Sequence, residues 1–142
     1  MIKKDRGTKE EGHGICHVLR LRSGMEGGLH KMDDFKVIEN YQMIRLPDEV
    51  DHHKSVDISS KADRYILSGK VGNVVFDFER TTFMDSSGIG IILGRYRKIS
   101  CFGGKVYAIN ADNRIRRILL MSGLENIVEI MDSGKECDRR ND

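Results

Sequence analysis

The sequence predicts an α/β domain, a central sheet covered by helices. From residue 32 onward, short apolar segments rich in Val, Ile, Phe and Tyr alternate with segments whose apolar residues recur at helical spacing. Helix start and stop residues sit at the boundaries between them. With 142 residues, 39% of them apolar, the chain can build one core without metal or disulfide support. Strands alternating with helices in this way place helices over a sheet.

The first two strands are Phe35 to Ile38 and Tyr41 to Leu46, flanking a hairpin-like turn at Glu39-Asn40. Asp51 is positioned to cap a helix whose Ser55, Ile58, Ala62 and Ile66 share one face and which ends near Gly69. A strand over 73–79 follows, centred on Val74-Val75-Phe76-Asp77-Phe78. A helix from about 86 to 100 carries apolar residues at 89, 92, 93 and 96 as its buried face. Gly103-Gly104 leads into a strand over 105–109. Asp112 then caps a helix with Ile115, Ile118, Leu119 and Ser122 inward and Arg114, Arg116 and Arg117 outward, stopped by Gly123. The last strand is Ile127 to Ile130.

Outside this block the chain is polar. Residues 1–31 hold six glycines and one short apolar stretch, Ile15 to Leu21, and read as a flexible N-terminal extension. Glu26-Gly27-Gly28 would be encoded by purine-rich codons resembling a ribosome-binding sequence, just upstream of Met32. Translation is therefore expected to start at Met32, and a natural chain beginning near Met1 on N-terminal sequencing would overturn that expectation. The domain is bounded at 32–131, and 132–142 form a polar C-terminal tail.

The net charge of +2 is unevenly placed. Residues 1–31 carry seven Lys/Arg and four acids, leaving 17 basic against 18 acidic residues in 32–142. A nearly neutral domain argues against direct nucleic-acid binding, which needs a basic face on the domain itself. No run of 18 apolar residues and no apolar signal region is present, so a cytoplasmic protein with no membrane association is expected. Cys16, Cys101 and Cys137 are odd in number and widely spaced, as reduced thiols are.

The most informative stretch is Phe83-Met84-Asp85-Ser86-Ser87-Gly88-Ile89-Gly90-Ile91-Ile92-Leu93-Gly94-Arg95-Tyr96. It joins a strand to a helix and puts two hydroxyls at the junction. Capping alone accounts for an Asp or Ser at a helix N-terminus. Here the serines are doubled, follow an acid and precede two glycines that thin the helix, as a docking site with a modifiable hydroxyl would. In this reading Tyr96 packs and Arg95 solvates the helix surface.

This stretch resembles the signature of anti-anti-sigma factors with a STAS domain, in the form that serves sporulation. Asp51-His52-His53, Gly103-Gly104 and Met121-Ser122-Gly123-Leu124 match in the same order, so the resemblance covers about residues 32 to 131. It implies a mixed central sheet of four to five strands with helices mainly on one face. It implies a binding protein, not an enzyme, with no cofactor and no metal. Its partners would be an anti-sigma factor that is itself a serine kinase and a serine phosphatase that resets it. Unphosphorylated, it would bind the anti-sigma factor and release the sporulation sigma factor; phosphorylation on Ser86 would switch it off. The partner-binding residues so implied are Asp51, Asp85, Ser86, Ser87, Ile89, Gly90 and Asn110. The protein is expected to be a monomer or weak dimer. Two alternatives are an antagonist in a general stress sigma-factor pathway and a nucleotide-binding STAS module.

The chain departs from this family in two places. Pro47-Asp48-Glu49-Val50-Asp51 stands where a glycine-containing turn is usual, and the amphipathic helix that normally ends the domain has no apolar counterpart in 132–142. Other constellations are weak. His13, Cys16 and His17 form one cluster where a zinc site needs two spaced pairs. His52 and His53, adjacent on a helix, point apart. Ser86 lacks the Gly-x-Ser-x-Gly elbow, and no Walker-type phosphate loop is present.

Overall fold

The structure, a computed structural model, describes residues 14–21 and 35–131. Residues 14–21 form a helix, α1, in which Ile15, Cys16 and Val18 are buried. This part of the expected flexible extension is helical instead, because its apolar residues recur at helical spacing. The rest of the extension, Met32 included, and the tail 132–142 lie outside the described residues.

The main body runs β1 (Phe35–Ile38), β2 (Tyr41–Arg45), β3 (Glu49–Val50), α2 (His52–Leu67), β4 (Asn73–Asp77), β5 (Phe83–Met84), α3 (Ser86–Ser100), β6 (Val106–Ile109), α4 (Asn113–Met121) and β7 (Val128–Met131). Five strands form a sheet in the order β1-β2-β4-β6-β7. β1 pairs with β2 antiparallel through a turn in which Glu39 has a φ of 57°. All other neighbours are parallel, with Ile44, Phe76, Ala108 and Ile130 in one row across the sheet. β4, in the middle, is buried at all five positions, as expected of a central parallel strand covered on both faces.

One face of the sheet, lined by Ile44, Val74, Phe76, Val106, Ala108 and Val128, packs against the helices. α2 contributes Ile58, Ala62 and Ile66; α3 contributes Ile91, Ile92 and Ile99; α4 contributes Ile115 and Leu119. Each buried Ile or Leu among them stabilises the fold by about 1.5–3 kcal/mol. The other face carries Tyr41, Met43, Val75, Tyr107 and Ile109, also buried, with the Tyr41 and Tyr107 rings 6.1 Å apart.

The predicted elements are all present, with two shifts in the orientation of helix faces. The buried face of α3 is Gly88, Ile91, Ile92, Arg95 and Ile99 rather than 89, 92, 93 and 96. Arg95, expected in solvent, is 5% exposed, because Asp63 of α2 offers it a carboxylate: Nε lies 2.9 Å from Oδ1 and Nη2 donates to Oδ2 at 3.4 Å. Burial lowers the pKa of the Arg95 guanidinium, and the Asp63 charge opposes that shift. Tyr96 is partly buried and packs on the core. In α4, Ser122 is exposed instead of inward; it is the C-cap, with its hydroxyl donating to the Ile118 carbonyl at 2.8 Å.

Candidate functional site

Sequence-local chemistry starts α2 and α3 in the same way. Asp51 is extended and accepts the Lys54 N–H at 2.9 Å, which holds its carboxyl below the usual range. Asp85 is likewise extended and accepts the Ser87 N–H at 2.8 Å. What the sequence does not reveal is that the two caps are neighbours. β3 and β5 pair in parallel, Glu49 with Phe83 and Val50 with Met84. Asp51 and Asp85 are the next residues on each strand, so both helices begin side by side from a two-stranded ladder.

Side chains brace this ladder. Thr81 is buried and donates its hydroxyl to the Pro47 carbonyl at 2.9 Å. The Thr82 N–H donates to the Asp48 carbonyl at 2.9 Å and the Thr82 hydroxyl to Asp48 Oδ1 at 2.8 Å. The Pro47-to-Val50 segment is thus tied to the strand that leads into α3.

On that platform Ser86 is exposed, and its hydroxyl has no hydrogen-bond partner among the described residues. Ser87 is half-buried. Gly88 and Gly90 differ. A Cβ at Gly88 would collide with the Met84 side chain, whereas one at Gly90 would meet nothing within 4 Å. Gly88 is therefore required by the domain's own packing; Gly90 is exposed and serves no internal contact. Ile89 is partly buried against the core.

Asn110 ends β6 at the same, C-terminal, end of the parallel strands, with a φ of 60°. Its Nδ2 donates to Asp77 Oδ1 at 3.0 Å, and that buried carboxylate also accepts the Glu79 N–H and faces Arg45 Nε at 3.6 Å. Asp51, Asp85, Ser86 and Ser87 form one cluster; the amide of Asn110 instead engages Asp77. Phe83, 52% exposed beside Asp85, is a surface residue that the sequence reading did not include. Its outward direction follows from alternation with the buried Met84 within a strand too short to show a period.

Residues 34–137 match the STAS domain family. An anti-sigma F factor antagonist from Paenibacillus polymyxa is 37% identical over 91 residues, covering 64% of this chain and 78% of that protein. This chain belongs to the STAS-domain family of anti-sigma factor antagonists. Two solved structures of a family member, SpoIIAA, share its fold. The unphosphorylated form is 32% identical with a TM-score of 0.61, covering 75% of this chain and 97% of that one. The phosphorylated form, from Bacillus, is 33% identical with a TM-score of 0.59, covering 74% and 97%. Among the described residues of this STAS protein, no helix is long and apolar enough to cross a membrane.

Proposed function

We propose that this protein is an anti-sigma F factor antagonist that works by exchange of partners. Unphosphorylated, it docks on an anti-sigma factor that is a serine kinase and so frees a sporulation sigma factor. The docking surface is the start of α3 (Asp85, Ser86, Ser87, Ile89 and Gly90) with Asp51 and the Asn110 turn. Phosphorylation of Ser86 ends docking, and a serine phosphatase restores it.

The observation that carries this reading is the Ser86 hydroxyl, exposed and unengaged at a helix N-terminus beside two capping carboxylates. With no base of this domain hydrogen-bonded to it among the described residues, this hydroxyl suits a phosphate acceptor whose base is supplied by a kinase better than the nucleophile of an active site in this domain. Phosphate would add roughly −1.5 to −2 charges. The orphan N–H groups and dipole of α3 favour an anion there, so the fold tolerates it. A partner that must approach Asp51 and Asp85 closely would instead meet added bulk and a third negative group. Ser87, half-buried beside it, is the less accessible hydroxyl. The kinship with SpoIIAA, solved in phosphorylated and unphosphorylated forms, supports the same reading. The near-neutral domain favours a protein partner over nucleic acid.

The test is intact mass after incubation with the anti-sigma kinase and ATP. One added phosphate on the wild type, absent from Ser86→Ala, is expected. No addition to the wild type would overturn the switch and leave the family assignment intact.

A further inference from the structure

A second site lies along the side of α2. Lys54, Asp57, Ile58, Lys61 and Tyr65 recur at helical spacing and, with Arg64, face Phe35 of β1 and Pro47 across a cleft of about 570 Å³. That volume is in the range of binding clefts. Asp57 is the only carboxylate among the lining residues, and it is paired with Lys61 at 3.4 Å. Lys61 also stands 6.0 Å from the centre of the Phe35 ring. Arg64 has no acidic partner among the described residues; Lys54, whose Nζ donates to the Glu49 carbonyl at 3.3 Å, has near its charge the exposed Asp51 carboxylate, which is already engaged as a helix cap. The dipole of α2 accounts for a cation at Arg64, in the last turn, but disfavours one at Lys54, in the first. The Asp51 carboxylate offsets part of that cost, and the lining of the cleft remains basic, with Asp57 as its one carboxylate.

Spacing selects the ligand. Ten residues of helix separate Lys54 and Arg64, the cations at the two ends of the cleft, about 15 Å along the axis. A compact phosphate group reaches one end of that span; an extended peptide covers it in about four to five residues. Between the ends, Tyr65, 36% exposed, and the half-buried Phe35 offer apolar contact. We propose that this cleft binds an extended acidic segment of a protein partner, its carboxylates on Lys54 and Arg64 and an apolar side chain against Phe35 and Tyr65.

The probe is a fluorescein-labelled peptide of alternating Glu and Leu, titrated into the full chain and followed by anisotropy and by ¹H–¹⁵N spectra. Saturable binding is expected, with shifts centred on Lys54, Lys61, Arg64 and Tyr65. Lys54→Glu and Tyr65→Ala should each weaken it by about tenfold. Lys54→Glu puts an acid in the first turn of α2, where the dipole favours it, so loss of fold does not confound the result. Non-saturable binding, shifts centred elsewhere, or affinity indifferent to both variants would overturn the proposal. So would tighter binding in this cleft by ATP or by a short single-stranded oligonucleotide.

Discussion

Asp51 and Asp85 stand one residue beyond the last rung of the same parallel ladder, Val50 with Met84, and each caps the helix it begins. Two helix N-termini, each with its own carboxylate, are thereby joined at one place on the surface. Ser86 is the first helical residue after one of those carboxylates.

An anion at Ser86 should leave the fold intact and block docking. Ser86→Glu is expected to melt within about 1 kcal/mol of the wild type, since the α3 dipole favours the charge. Its affinity for the anti-sigma partner, measured by calorimetric titration, should fall by about a hundredfold or more. A variant that melts early would show that the site does not accommodate an anion.

The two glycines of the motif should respond in opposite ways. Gly88→Ala drives a methyl into Met84 and should cost about 1–3 kcal/mol in urea denaturation. Gly90→Ala meets open space and should stabilise by about 0.5–1 kcal/mol by removing unfolded-state freedom. Under the docking reading it also weakens partner affinity, a rare pairing of higher stability with lower binding.

Asp63 and Arg95 should be unequal to mutation. Removing Asp63 strands a guanidinium whose side chain is 6% exposed, and Asp63→Ala should cost about 3 kcal/mol or more. Arg95→Met leaves a carboxylate that is 23% exposed and still 3.7 Å from Lys98, so it should cost about 1 kcal/mol or less. Equal losses in thermal melts would contradict this account of the pair.

Gln42 is fully buried, and among the described residues neither its amide nitrogen nor its oxygen has a hydrogen-bond partner. Replacing it with an apolar chain of similar length removes an unmet desolvation penalty. Gln42→Met should raise stability by about 1–3 kcal/mol, and a destabilised variant would refute the assignment of Gln42 as unsatisfied.

The Asp51 carboxyl is held below its usual range, first by the Lys54 N–H. A folded-state pKa that is lowered gives stability that is complete above the unfolded value and lost as pH falls through the folded one. Asn caps a helix as well as Asp, so wild type minus Asp51→Asn isolates the charge. That difference in Tm should be positive near neutrality and shrink from about pH 4 downward.

The parts of the fold legible in the sequence were those with a repeating signal. Ser55, Ile58, Ala62 and Ile66 were placed correctly as the inward face of α2 because four turns of helix carry the period. The caps Asp51, Asp85 and Asp112 all bond as their residue types suggest. The face of α3 was misjudged by about one residue because Arg95 reads as a surface side chain until its partner, 32 positions earlier, is known. β3 and β5 were missed because two residues contain no period. With them went the adjacency of Asp51 and Asp85, which is a property of strand pairing and not of either segment alone. The motif residues could be named from the sequence; the place where they meet could not.

The β3–β5 ladder and its Thr81 and Thr82 braces have a consequence for signalling. They clamp the strand-to-helix junction against the Pro47-to-Val50 segment, while Ser86 itself stays exposed to solvent. Under the proposed function, a group attached at Ser86 would be a label and not a lever. It would need to move no helix; a partner would read it by touch. Erasing the label would return the domain to its starting state with no refolding step, and the pace of the proposed cycle would belong to the enzymes that write and erase it.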